Sequence, residues 1–394
     1  MQEVNSKPEE WIDAELAKQR AAHLERSIHV YESVGGVFTA QGRRWLNFGS
    51  NDYLDFARHP RLKKAAALAL EQYGTGATSS RLITGTLPPH DALERSIARH
   101  KGYPAAVVFG SGYMTNAGVI SSLIGRNDHA FADRLIHASV LDAVRLSGAR
   151  LHRFAHNDPG SLEQTLKRAP SGRRLILTES VFSMDGDEAP LEAIAALAES
   201  HEALLMVDEA HAGGVFGPHG AGLVSALNLH TKVTASMGTL SKALGGYGGY
   251  TACSERTRQW LINRSRAFIY TTALPPAVMA AALEALRILE ETPGLGKTLL
   301  ARAQRFRERL QGVGLDTLRS SSQIVPVLVR DNASTLRLAG RLKSRGILVG
   351  ALRPPTVPPD QARLRFSITL AHSDEDLDRA FDAVIDAFNE EGIL

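Results

Sequence analysis

Cysteine is nearly absent: Cys253 is the single one in 394 residues. No internal disulfide can form, so a disulfide-stapled scaffold is excluded and an oxidising compartment is not implied. No apolar run is long enough to cross a bilayer, because each is short and broken by charge. Charge of one sign is not in excess either: 45 basic and 42 acidic residues leave +3. That balance argues against a nucleic-acid protein with a large basic footprint. HExxH and clustered Cys/His spacings are missing, so no metal site is expected. There is no internal repeat and no low-complexity tract. The opening stretch, MQEVNSKPEEWID, is polar and acidic, unlike a secretory signal. The expectation is a cytoplasmic enzyme with neither membrane nor nucleic acid as partner.

Two stretches imitate other sites and fail on detail. TPGLGKT (Thr292–Thr298) follows a helical pattern, and Glu291 stands where a P-loop needs its first glycine. TLSK (Thr239–Lys242) has threonine where an SxxK enzyme has its nucleophilic serine, and no SDN or KTG accompanies it.

What is present centres on Val233–Tyr250, VTASMGTLSKALGGYGGY. The run Val233–Met237 reads as a strand. Thr239 stands three residues before Lys242, and four glycines lie between Gly245 and Gly249. A buried lysine loses its charge readily, which suits one that captures an aldehyde cofactor as a Schiff base. A solvated surface lysine is the bland alternative.

Around it, strands alternate with helical patterns. Strands are expected at 105–109, 129–132, 150–154, 175–178, 204–207, 233–237 and 250–253. That order predicts an α/β fold with a mainly parallel sheet covered on both faces. Catalytic residues then belong at the strand C-terminal ends. The division expected is an N-terminal helix (from Pro8) and hairpin arm over 1–46, a large domain over 47–285, and a smaller α+β C-terminal domain over 286–394.

Several side chains at strand ends can carry chemistry, each with a plainer reading. Gly112 and Tyr113 open a helix after a strand, an anion seat or a tight turn. Asp208, at a strand end with His211 three residues on, can hold a ring nitrogen protonated or merely cap a loop. Glu209 beside it reads as structural. His137 can stack on a flat ring or neighbour a helix cap. Ser183 can donate to a ligand oxygen, while Asp185-Gly186 also fits a plain turn. Thr271 and Thr272 offer paired hydroxyls or ordinary strand-end bonds. Arg363 and Arg365 share one face of a strand, where a guanidinium can clamp a carboxylate or sit solvated on an edge.

In order, GSGYMTN, ADRLIHAS, RFAHND, TESVFSMDGD, MVDEAH, GTLSK, YTTALPP, RPPTVP and ARLRFSIT resemble the α-oxoamine synthases, fold type I pyridoxal-phosphate enzymes. The resemblance runs from about Asn47 to His372. It implies pyridoxal 5'-phosphate held as a Schiff base by Lys242, with Asp208 on the pyridinium nitrogen and His211 on the ring hydroxyl. It implies His137 stacked on the ring, and Gly112, Tyr113, Ser183 and Thr239 as further cofactor contacts. Thr271 or Thr272 then reaches the phosphate of a neighbouring subunit, in a homodimer. Arg365 takes the amino-acid carboxylate, Thr356 lies at a substrate position, and Arg26 is the nearest match to an N-terminal substrate arginine. RFAHND, SMDGDEAPL and RPPTVP favour the branch that joins L-alanine to a pimeloyl thioester, a step of biotin biosynthesis. The thioester is carried by coenzyme A or by a transiently docked acyl carrier protein. Sister branches using glycine or serine remain the nearest alternative. Asp55, where the SNDYLG-type loop usually has glycine, and Ala212 depart from the pattern.

Overall fold

The computed structural model describes residues 9–394; the start of the first helix at Pro8 and most of the opening stretch lie outside them. The chain begins with α1 (Glu10–Ala21), β1 (Val37–Ala40), β2 (Arg43–Asn47), α2 (Pro60–Tyr73) and α3 (Pro88–Lys101). Strand and helix then alternate through β3 (Ala105–Phe109), α4 (Gly112–Leu123), β4 (His129–Asp133), α5 (Ala138–Ser147), β5 (Arg150–Phe154) and α6 (Pro159–Arg168). The alternation continues with β6 (Arg174–Glu179), α7 (Leu191–Ser200), β7 (Leu204–Asp208), the short α8 (Leu223–Ala226), β8 (Ala235–Thr239) and β9 (Gly249–Cys253). Then follow α9 (Glu255–Arg264), α10 (Arg266–Ile269), α11 (Pro276–Glu291) and α12 (Leu295–Gly312). The chain closes with β10 (Ile324–Arg330), α13 (Asn332–Ser344), β11 (Ile347–Leu348), β12 (Gly350–Leu352), β13 (Ala362–Ser367) and α14 (Asp374–Glu390).

Seven strands form the main sheet in the order β3-β9-β8-β7-β6-β4-β5. All run parallel except β9, which is antiparallel to both neighbours. Alternate residues feed opposite faces, as the pleat requires. Val107, Ala130, Leu175, Met206 and Ala235 join one apolar cluster; Val108, Phe131, Ile176, Leu205 and Val207 join the other. With both faces covered, Asp133, Glu179, Asp208 and Thr239 emerge together at the C-terminal edge.

The Val233–Met237 strand begins two residues later than expected and runs through Gly238. A side chain at Gly238 would meet the Tyr250 hydroxyl oxygen at 2.4 Å, so the ring crosses where a Cβ is missing. The 347–352 strand divides because its halves serve different sheets: β11 pairs with β2 and β12 with β13. Hence the β1–β2 hairpin, turning at Gln41-Gly42 with positive φ at both residues, lies against the C-terminal part of the chain. Residues 285 and 286 fall inside the continuous α11, which packs on α2 and α3. Helix α1 has no buried residue. No helix among the described residues is long and apolar enough to cross a membrane.

Candidate active site

A cavity of about 200 Å³ opens at the C-terminal edge of the sheet, and Lys242, Asp208, His211, His137 and Thr239 all line it. Lys242 follows β8. Burial pushes its ammonium down to about 8, with Arg365 adding to the effect and Asp208 and Glu179 opposing it. Its Nζ lies 2.7 Å from His211 Nε2. The other ring nitrogen, Nδ1, lies 2.6 Å from the Tyr53 hydroxyl. Burial, then Lys242 and Arg365, hold His211 well below the usual imidazole range. His211 is therefore neutral, accepts from the amine at Nε2, and donates through Nδ1 to Tyr53. The chain of bonds continues: Tyr53 donates to Asn51 Oδ1 at 3.2 Å, and Arg365 donates to the same oxygen at 3.3 Å.

Asp208 ends β7 with a carboxylate that accepts from Asn116 Nδ2 at 3.0 Å and from the Ala210 amide at 2.9 Å. Asn116 also donates to Ser139, and its own Oδ1 is buried without a partner. His137 caps α5, accepting the Ser139 amide at Nδ1 while that nitrogen also meets the Ser139 hydroxyl at 2.7 Å. Surrounding atoms and Lys242 lower its basicity and Asp208 raises it.

Helix α4 starts at the cavity wall. Ser111 takes the amides of Met114 and Thr115, which leaves those of Gly112 and Tyr113 at the helix N-terminus. A Cβ on Gly249 would come within 2.8 Å of the Gly112 nitrogen, so glycine keeps this floor open. Thr239 donates to the Gly248 carbonyl at 2.9 Å and bonds the Ser241 hydroxyl at 2.6 Å.

The two arginines of β13 have different fates. The strand is the middle one of three and buried throughout, so neither is the edge residue that a solvated charge would require. Arg363 pairs with Asp185 at 2.8 Å. Arg365 is buried too, but its bonds go to the Ser183 carbonyl, Asn51 and Ser367; no carboxylate partners it among the described residues. A buried cation without an acid is costly unless a ligand supplies one.

Other expected residues lie apart. Ser183 is buried, its backbone engaged, and it does not line the Lys242 cavity. Thr271 and Thr272 line a separate cleft behind α10. Arg26 and Thr356, 330 residues apart, meet at 3.4 Å on the surface. Sequence reasoning missed Glu179, Asn116 and Ser139 in the cavity, and Asn51 and Tyr53 behind it. The only hint for the last two was the polar loop SNDYLDF. Glu209 is structural, as expected: it is fully buried, paired with Lys101 and bonded to Ser236 and the Val224 amide.

A mainly parallel sheet with a low-pKa lysine, an acid at a strand tip and a helix N-terminus around one cavity defines a fold type I pyridoxal-phosphate-dependent transferase. The residues fit that cofactor: an amine for the aldehyde, a carboxylate for the ring nitrogen, and two helix amides above a glycine floor for the phosphate. Residues 43–384 match aminotransferase class I and II, and the chain belongs to that family.

Within it the likeness is narrow. An 8-amino-7-oxononanoate synthase of Geobacter sulfurreducens is 46% identical over 387 residues, 97% of this chain and 99% of that protein. One of Trichlorobacter lovleyi is 44% identical over 390 residues, 98% and 100%. Among solved structures, a Sphingomonas wittichii serine palmitoyltransferase superposes with TM-score 0.92 at 31% identity, covering 100% of both chains. An 8-amino-7-oxononanoate synthase of Francisella tularensis gives 0.77 at 30% identity, covering 89% of this chain and 99% of that one.

Proposed function

We propose that this enzyme condenses L-alanine with a pimeloyl thioester to give 8-amino-7-oxononanoate, CO2 and the free carrier thiol. The observation that carries the reading is Arg365: a buried cation lacking an acid, joined to Lys242 through Asn51, Tyr53 and His211. It is ready for the carboxylate of an amino acid whose reacting carbon lies near Lys242. Pyridoxal phosphate, when bound, supplies an electron sink for the Cα bond that breaks. The chain supplies orientation and proton handling. Arg365 grips the carboxylate. Lys242 Nζ, half-neutral near pH 8, takes and returns the Cα proton, and His211 accepts from the amine and relays polarity to Tyr53. Asp208, fixed by Asn116 and the Ala210 amide, holds negative charge for the ring nitrogen. His137 closes one side of the cavity. Arg26 and Thr356 offer a cation and a hydroxyl for the acyl substrate. Thr271 and Thr272, away from this cavity, are assigned to the site of a second copy in a homodimer.

The serine palmitoyltransferase likeness is in shape at 30–31% identity, whereas the 8-amino-7-oxononanoate synthases reach 46%, which favours alanine over serine. The test supplies pyridoxal phosphate, pimeloyl-coenzyme A or pimeloyl-acyl carrier protein, and alanine, glycine or serine in turn. Product mass and CO2 release should select alanine. Preference for glycine or serine, or a protein that stays colourless with the cofactor, refutes the reading.

A further inference from the structure

Glu179 stands between two substrate-facing groups and has been given no role. It ends β6 in register with Asp208 on β7, and is 2% exposed. Its Oε1 accepts the amide of His137 at 2.7 Å, and its Oε2 accepts the amide of Ser183 at 3.2 Å. The His137 amide belongs to the loop between β4 and α5. The Ser183 amide belongs to the loop after β6, and the carbonyl of the same residue accepts Arg365 Nε at 2.7 Å. One carboxylate thus sets the backbone under the His137 ring and the backbone that holds the Arg365 guanidinium.

A glutamine could not do the same. It has one acceptor oxygen, and its amide nitrogen would face the second N–H. A buried amide left without an acceptor carries its full desolvation cost. Burial and then Asp208 push it up to about 8, while Lys242 and the two loop amides pull it down, so the doubly accepting carboxylate is the form present above that pH. With both oxygens spent on loop amides, Glu179 acts through what those loops carry.

We propose that Glu179 is a positioning residue for the amino-acid substrate, fixing the separation between the His137 ring and the Arg365 guanidinium. The proposal rests on the amino-acid-binding part of the reading above. The test compares wild-type holoenzyme with Glu179→Gln and Glu179→Asp at about pH 9, where Glu179 is ionised. Alanine affinity is read from the absorbance change on mixing without thioester, the two KM values from initial rates, and the amides of His137 and Ser183 by hydrogen exchange. Glu179→Gln should weaken alanine binding about tenfold, leave the thioester KM within about twofold, and speed exchange at one of the two amides. Glu179→Asp, which reaches only one amide, should fall the same way. Unchanged alanine affinity, or equal rises in both KM values, overturns the proposal. Should neither variant fold, the wild-type exchange decides: slow exchange at both amides supports the clamp, and fast exchange at either refutes it. If wild-type holoenzyme responds to no amino acid, the functional reading fails, and the exchange result still judges the clamp by itself.

Discussion

Replacing Lys242 with methionine in cofactor-free protein should stabilise it at neutral pH. The amine titrates near 8 in the folded chain against an ordinary 10.5. Below pH 8 both states hold the proton, and folding carries the full cost of the shift. The difference of about 2.5 pH units corresponds to about 3 kcal/mol. Above 10.5 both states are neutral and the cost vanishes, so the penalty fades between 8 and 10.5 as pH rises. Methionine removes the charge but also the bond to His211, worth about 1 kcal/mol. The net gain is about 2 kcal/mol at pH 7 and about zero at pH 10. With an unfolding entropy of about 2 cal/mol/K per residue, 394 residues give about 0.8 kcal/mol/K, so Tm should rise about 2–3 °C at pH 7. Differential scanning calorimetry of both proteins at pH 7 and pH 10 checks this. A variant that melts lower than wild type at pH 7, or a difference that ignores pH, would refute the assigned desolvation of Lys242.

Arg365→Lys keeps the charge but loses the planar fork, and the KM for alanine should rise about 10- to 100-fold with the thioester KM unchanged; an unmoved alanine KM removes Arg365 from the clamp. His156 joins Asp133 and Asp187 at 2.9 Å each, and although burial opposes its charge, the two carboxylates lift it to about 10. Its contribution is therefore complete below about pH 6.5 and lost as pH rises through 10. His156→Gln should cost about 2 kcal/mol in denaturant unfolding at pH 6 and little at pH 10.5, and equal costs at both would contradict the ion pairs. Asp55 has φ +58° and a buried Oδ1 with no partner. Asp55→Gly should therefore raise stability by up to about 1 kcal/mol, and a loss larger than that would show that the side chain is needed.

The sequence made the strand ends legible because each is an apolar run followed by a polar residue, and the sheet then carries those residues to one edge. Lys242, Asp208, His211 and His137 meet for that reason. The Asp55 departure was legible too: the left-handed backbone there explains why glycine suits the position. Glu179 was hidden because its partners are backbone amides, which no residue type announces. Asn51 and Tyr53 were hidden because their partners lie 314 and 158 residues away, Arg365 on β13 and His211 after β7, and only the tertiary fold unites them. Arg363 and Arg365 are equivalent in the strand pattern. What separates them is Asp185, 178 residues upstream of Arg363, which neutralises one and leaves the other free.

That unneutralised cation also bears on Lys242. Arg365 is among the groups that lower the amine, while Asp208 and Glu179 raise it. On the proposed function, a carboxylate bound to Arg365 cancels part of its field at Nζ, so binding an amino acid would make Lys242 a stronger base for the Cα proton. The free site keeps the amine uncharged enough to act as a nucleophile, and the loaded site favours the proton. The consequence is measurable in cofactor-free protein by NMR titration of the Lys242 amine. Propionate, a carboxylate without an amine, should raise the midpoint in wild type. Arg365→Gln should raise it without propionate, and adding propionate should then do nothing further. A midpoint that ignores propionate in wild type, or moves equally in both proteins, would mean that Arg365 does not couple the arrival of substrate to the basicity of Lys242.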